Sequence, residues 1–284
     1  METITSETEL TQAGFYWRER DGVRALICAS LEQDGFVNGF STRLGGVSDM
    51  PKAALSLAGF NDDKAENILE NRRRFLKLFP GTWSLAGCWQ VHGADVRVVE
   101  NAAQAKPAED SHGDTIYCDA IISDAQNVLA GVKTADCVPL LIGDPKTGAF
   151  AAVHAGWRGT LAGIGVVAVK RLEHEYGAKA ADLRVAIGAS AGACCYEVGS
   201  EVIEAFKEKF PEAEKLFTPT KEAHALIDLL KSNQDQLVSV GLQPERIHTA
   251  PICTMCRTDL FFSYRREKSV NGKVGRLMAV IGRR

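Results

Sequence analysis

The sequence predicts a single α/β (α+β) domain over residues 15–284, preceded by a flexible tail over 1–14. Three observations predict it. Short apolar and β-branched runs alternate with a few longer amphipathic stretches. No internal repeat or low-complexity linker divides the 284 residues. At the centre, residues 132–158 (VKTADCVPLLIGDPKTGAFAAVHAGWR) join a hairpin pattern directly to a helix start.

In that stretch, apolar runs 138–142 and 149–153 flank the turn cluster Gly143-Asp144-Pro145-Lys146-Thr147-Gly148. If Ile142 faces Ala149 across the turn, Cys137 faces His154. Opposed residues on antiparallel strands share a face, with Cα atoms roughly 4.5–5.5 Å apart. A thiol and an imidazole would then meet at the open end of the hairpin. A metal site or a Cys–His dyad uses that geometry; a buried thiol beside a core histidine is the structural alternative.

The other elements follow in order. Residues 15–31 hold strand pieces around an Asp21-Gly22 turn, and 37–40 read as a strand. The polar loop 41–48 carries Arg43, whose guanidinium suits an oxyanion or a solvated turn. A helix is expected over 61–79, capped by Asn61 or Asp62 and ended by Pro80-Gly81, with Arg72-Arg73-Arg74 on a solvated face. Strands follow over 84–91 and 94–99, with His92-Gly93 at the break, then a loop over 101–113. Residues 118–123 and 128–132 read as strands. Asp136 suits a ring N–H, a ribose hydroxyl or a turn cap. A helix over 157–176, ended by Gly177, begins Gly-Trp-Arg-Gly-Thr. Its dipole is worth roughly 0.3–1 kcal/mol to a nearby anion, so Gly156, Arg158 and Gly159 form a candidate phosphate seat. Beyond it come a strand over 183–187, helices over 200–209 and 224–240, and strands over 247–250, 261–265 and 276–281.

Composition excludes several function classes. A net charge of −3 argues against a nucleic-acid groove or an anionic membrane surface. No apolar run is long enough for a transmembrane helix. The acidic, polar start METITSETELTQAG is unlike a signal peptide, so a cytoplasmic location is expected. The eight cysteines therefore read as thiols or metal ligands rather than a disulfide framework. Cys253 and Cys256 form a C-x-x-C, but a structural zinc site would need a second such pair, and Cys194-Cys195 is not one.

Several motifs together resemble one family. They are STRLGGVS (41–48), ENRRRF (70–75), WQVHGADV (89–96), TADCVPLLIGDP (134–145), AAVHAGWRGT (151–160), CCYEVG (194–199) and FFSYRRE (261–267). The family is the laccase-domain family, also called multicopper polyphenol oxidase or purine nucleoside phosphorylase. The resemblance spans residues 36–283. It implies a layered sandwich of mixed β-sheets with outer helices, similar to cysteine-dependent deamidase toxins. It also implies a metal site, usually zinc, on His92, Cys137 and His154. Three protein ligands leave one position open, as catalytic zinc requires. The chain departs from the family pattern at Ser56-Leu57-Ala58 and at Ala189 and Ala193, where relatives carry Asn and prolines.

The implied activity is phosphorolysis of adenosine, inosine, guanosine and methylthioadenosine, with adenosine deamination. Purine nucleosides and phosphate are the expected partners. Cys137 and Asp136 are the candidate catalytic residues, and Arg43, Gly156, Arg158 and Gly159 would hold phosphate. Two other enzyme readings use the same residues. Copper in the His₂Cys set would make a polyphenol oxidase, though six histidines are few for a multicopper cluster. A metal-free hydrolase or deamidase would use Cys137 as nucleophile and His154 as base. The fourth reading is a non-enzymatic scaffold.

Overall fold

The computed structural model describes residues 6–50, 53–60, 62–107 and 116–284. Asn61, one of the expected caps, and residues 108–113 of the expected loop lie outside the described residues.

Local sequence chemistry explains most elements. Helix α1 (Glu7–Gln12) starts at a capping box of Ser6 and Glu9 and buries Leu10, so part of the expected tail is packed structure. Strands β1 (Phe15–Arg20) and β2 (Val23–Cys28) pair across Asp21-Gly22, both at positive φ as a two-residue hairpin needs. Helix α2 (Ala29–Gln33) and strand β3 (Phe36–Ser41) follow. Helix α3 (Ala65–Leu76) begins later than expected, with Lys64 as its N-cap. It buries Arg72 against the Phe60 ring, while Arg73 and Arg74 pair with Glu70. The run is therefore only partly a solvated face.

Strands β4 (Ser84–Ala86), β5 (Val96–Val98), β6 (Ala120–Ser123), β7 (Val128–Thr134), β8 (Val138–Gly143) and β9 (Phe150–Ala155) build the centre. The hairpin register differs from the sequence expectation: Ile142 pairs with Ala151, and Pro139, not Cys137, pairs with His154. The turn is tighter because Asp144 extends the ladder through its N–H to Ala149 O. Its carboxylate then accepts from Lys146 N–H and Thr147 Oγ1, and Gly148 supplies a φ of +83°. Strands have period two, so this even slip keeps every side chain on its expected face.

The expected 157–176 helix is two helices, α4 (Trp157–Ala162) and α5 (Ile164–Tyr176), broken at Gly163 with φ +80°. Gly177 ends α5 as expected. Next come β10 (Arg184–Ile187), β11 (Glu197–Gly199) and α6 (Ser200–Lys209). The expected 224–240 helix divides into β13 (His224–Ile227), which pairs with the preceding β12 (Phe217–Pro219), and α7 (Leu229–Ser239) capped by Asp228. After β14 (Ile247–Thr249), the expected 261–265 strand is instead a buried Phe261-Phe262 pair entering α8 (Tyr264–Asn271). Ser263 caps α8 by accepting from Arg266 N–H. Strand β15 (Leu277–Arg283) closes the chain.

Among the described residues, two six-stranded mixed sheets form the layered fold that the resemblance implied. Their orders are β1-β2-β3-β15-β7-β4 and β14-β10-β8-β9-β6-β5; a three-stranded sheet, β11-β13-β12, lies apart. Alternation assigns the faces. Phe150 and Ala152 of β9 point into the core between the sheets with Leu26 and Cys28 of β2. Ala151 and Val153 point outward to the core shared with α5 and α7. On the first sheet, Ala25 and Ile27 face out to Phe75 of α3. No described helix is long and apolar enough to cross a membrane.

Phe150 is fully buried against Phe36, with ring centroids 6.5 Å apart, on the strand that carries His154. Truncation to Ala should cost about 3–5 kcal/mol of unfolding free energy by urea titration.

Candidate active site

The site lies where the chain passes from one sheet to the other. Cys137 sits in the 135–137 connection between β7 of the first sheet and β8 of the second, and His92 sits in the connection between β4 and β5. His154 is on β9. One ring nitrogen of His154, one of His92 and the Cys137 Sγ all lie within 4.8 Å of one another. The His92 and His154 rings meet edge-on, with centroids 4.9 Å apart, and Cys137 Sγ is 4.0 Å from His92 Nε2. A tetrahedral zinc ion with bonds of about 2.0–2.3 Å would bring such donors to about 3.3–3.6 Å, a small closing movement.

A residue not singled out from the sequence organises this group. Asp119 is fully buried immediately before β6. Its Oδ1 lies 2.8 Å from His154 Nδ1 and accepts from His92 N–H at 3.0 Å. Its Oδ2 accepts from Val91 N–H at 3.1 Å and Gly93 N–H at 2.7 Å. The carboxylate thus turns His154 so that Nε2 faces the thiol, and holds His92 at a φ of +60°. In the sequence, Asp119 showed only as an acidic residue that, with Asp136, flanks the approach to the central hairpin; its partners are 26 to 35 residues away along the chain.

Electrostatics follow from this packing. Burial pushes the Cys137 thiol up, but the His154 charge and hydrogen bonds from both histidines outweigh it and leave the thiol at about 6. Burial pushes His154 down, yet the Cys137 thiolate and Asp119 carry it up to about 9. Without a cation the pair is a thiolate beside an imidazolium. Burial also acts against the Asp119 carboxylate, which stays below its ordinary value through bonds from His154 and Gly93.

The two glycines at the α4 start are packing requirements. A Cβ on Gly156 would lie 2.8 Å from His92 Cδ2 and 3.1 Å from Cys137 Sγ; one on Gly159 would lie 3.2 Å from Gly93 O. These contacts seat the start of α4 against His92, Cys137 and the Gly93 carbonyl. The site opens into a pocket of about 800 Å³. Trp89, Trp157, Tyr196 and Tyr264 supply aromatic surface there, and Lys133, Arg158, Arg265 and Arg276 supply positive charge. Arg158 lies over the Trp157 ring and pairs only loosely with Glu201, at 3.6 Å between exposed side chains.

Two expected site residues have other work. The Arg43 guanidinium donates to the carbonyls of Thr258 and Met50, pairs with Glu267 at 2.9 Å and lies over Phe262. It lines a different cleft and is a clasp between loops, which overturns its place in the phosphate seat. Asp136 borders the pocket, but Oδ1 accepts from Thr254 Oγ1, and Oδ2 accepts from Ser263 Oγ and Arg265 N–H. Its carboxylate ties the 254 turn to the first turn of α8, and Asp119 takes the ring-orienting role.

Fold and site together define a layered α/β protein with a thiolate, two imidazoles and a buried carboxylate at the seam of two mixed sheets. The chain belongs to the multi-copper polyphenol oxidoreductase laccase family, whose model matches residues 37–284. It is 34% identical to a protein of Geobacillus stearothermophilus named purine nucleoside phosphorylase YlmD, over 91% of this chain and 94% of that one. It is 32% identical to adenosine deaminase RL5 from an unknown prokaryotic organism, over 81% of this chain and 88% of that one. The crystal structure of YlmD from Geobacillus stearothermophilus superposes with a TM-score of 0.86 at 32% identity, covering 95% of this chain and 99% of that one.

Because the thiolate is the alkylated form, the rate of Cys137 modification by iodoacetamide in metal-stripped protein should rise with pH through about 6 and level off by neutrality. An ordinary thiol would still be gaining rate near 8.5. Asp119→Asn removes a charge that supports the imidazolium, and should move the midpoint upward. Mass spectrometry of the Cys137 peptide across a pH series reads both.

Proposed function

We propose that the protein is a zinc-dependent purine nucleoside phosphorylase acting on adenosine, inosine, guanosine and methylthioadenosine, with adenosine deaminase activity. The observation that carries the reading is the convergence of His92, Cys137 and His154 at the wall of a pocket with aromatic and cationic sides. The donor set fits zinc: one thiolate, two imidazoles, and a carboxylate behind one imidazole that selects its tautomer. Zinc bound there supplies a Lewis acid and lowers the pKa of water from 15.7 to about 7.

The chain's own residues supply the rest. Trp157, Tyr196 and Tyr264 offer faces for a purine ring. Arg158, only weakly engaged by Glu201, and the first turn of α4 offer a seat for phosphate. Phosphate held there is positioned to attack the sugar carbon as the bond to the base breaks. Asp119 keeps the His154 Nδ1 proton on its own side, leaving Nε2 for the metal.

The thiolate–imidazolium geometry supports a second reading, a metal-free hydrolase or deamidase with Cys137 as nucleophile and His154 as its acid–base partner. Incubation of purified protein with each nucleoside, with and without phosphate, separates the two. The first reading expects phosphate-dependent release of free base and inosine from adenosine, both abolished by chelation and by Cys137→Ala. Full turnover after chelation, lost on alkylation of Cys137, would establish the second.

Arg158→Ala should raise the KM for phosphate about tenfold, equivalent to about 1.4 kcal/mol, while adenosine deamination keeps its KM. Initial-rate kinetics with varied phosphate measure the split.

A further inference from the structure

Four cysteines outside the pocket's metal-ligand set come together in a second group. The sulfurs of Cys194, Cys195, Cys253 and Cys256 all lie within 4.8 Å of one another. Cys195 Sγ is 3.3 Å and Cys194 Sγ 3.6 Å from Cys256 Sγ. The sequence offered only one C-x-x-C; the missing partner pair is the adjacent Cys194-Cys195, brought across by the fold.

Backbone contacts build the juxtaposition. Strands β10 and β14 pair in parallel, and the pairing runs on past their ends as a bridge between Ser190 and Cys253. Thr254 N–H donates to Ser190 O on this bridge. The 253–256 segment then turns on itself, with Cys256 N–H and Arg257 N–H both donating to Cys253 O. Opposite it, Cys195 N–H and Tyr196 N–H donate to Gly192 O. Gly192 permits the approach, since a Cβ there would lie 3.2 Å from Cys253 Cβ and 3.4 Å from Cys194 Sγ.

We propose that Cys194, Cys195, Cys253 and Cys256 bind a zinc ion in a closed four-thiolate site that joins the 188–196 loop to the 251–257 loop. Tetrahedral zinc with sulfur at about 2.3 Å separates its ligand sulfurs by about 3.8 Å; the 3.3 and 3.6 Å spacings to Cys256 Sγ lie just inside that edge, and all four sulfurs fall within 4.8 Å. A disulfide needs sulfurs at about 2.05 Å, and neighbouring cysteines in one chain are poorly placed to form one. Thiolates are soft ligands that select zinc over hard cations such as magnesium and calcium. Gly192 N–H donates to Cys253 Sγ at 3.2 Å, and Arg266 Nη2 stands 3.9 Å from Cys195 Sγ. Both contacts favour sulfur in its anionic form, as supporting bonds around thiolate ligands do. On binding, each thiol gives its proton to solvent and no electron is transferred. Cys194 is exposed and Cys256 lines the cleft on the Arg43 side, so an ion has a route in.

The site reaches the pocket through its own loops. Cys195 precedes Tyr196, a pocket wall residue, and Thr254, inside the C-x-x-C, donates to Asp136 next to Cys137. With all four positions held by protein, this ion would be structural and would fix the rim.

The test is made on the full chain, purified under reducing conditions and loaded with zinc alone. Elemental analysis should find two zinc ions per wild-type chain. The Cys137→Ala/His154→Ala variant should keep one, with a zinc X-ray absorption shell of four sulfurs at about 2.3 Å. Cys253→Ser/Cys256→Ser should lose that ion; if it does not fold, the absorption spectrum of the first variant decides alone. Zinc with nitrogen or oxygen ligands in that variant, no zinc at all, an iron–sulfur chromophore, or disulfides among the four cysteines would each overturn the proposal. The wild-type count of two rests on the pocket zinc of the functional reading, whereas the four-sulfur shell of the Cys137→Ala/His154→Ala variant does not, so failure of the functional reading lowers the count to one and leaves that shell intact.

Discussion

The Asp119 carboxylate is the contact on which the site depends. It takes three backbone N–H groups from the 91–93 turn and faces the ring nitrogen of His154. A fully buried carboxylate is costly unless its lone pairs are matched by donors. Here the partners come from the 91–93 turn and from His154 on β9, so satisfying the charge also docks the His92 turn onto that strand. The left-handed backbone at His92, unusual for a residue with a Cβ, is held by the same bonds.

Around that anchor the architecture supplies rigidity. His92 and Cys137 sit where the chain crosses between sheets, and His154 sits on β9, which like its neighbour β8 is buried along its whole length. Close packing transmits position well, so short loops on this scaffold can hold three donors at near-bonding distances. The glycines of α4 serve the same end: a methyl group at Gly156 would occupy space needed by His92 and Cys137. The opposed charges of Cys137 and His154 stabilise each other in a setting that would disfavour either alone.

Much of the fold was legible in the sequence because its signals are local. Asp21-Gly22 marks its hairpin, Gly177 ends its helix, and residues 200–209 form α6 as their period predicts. Misreadings arose where local patterns were ambiguous. Residues 224–227 carry an apolar spacing compatible with helix, and pairing with β12 made them a strand. Phe261 and Phe262 have strand-like composition, but burial and the Ser263 cap turned the chain into α8. The hairpin register slipped by an even number because Asp144 uses its backbone in the ladder, and that parity preserved the meeting of Cys137 with His154.

By itself, the sequence determined the mixed class, the tight turns, and the identity of the soft donors, since these depend on residue type and short spacing. The tertiary structure alone decided which polar groups share a place. It gave Asp119 rather than Asp136 the imidazole, drew Arg43 into a clasp with Glu267, and carried Cys194 and Cys195 to Cys253 and Cys256. The physical reason is that a charged or thiol side chain takes its role from the groups that surround it after burial. Those groups come from distant segments, through strand pairing and sheet packing that no local pattern records.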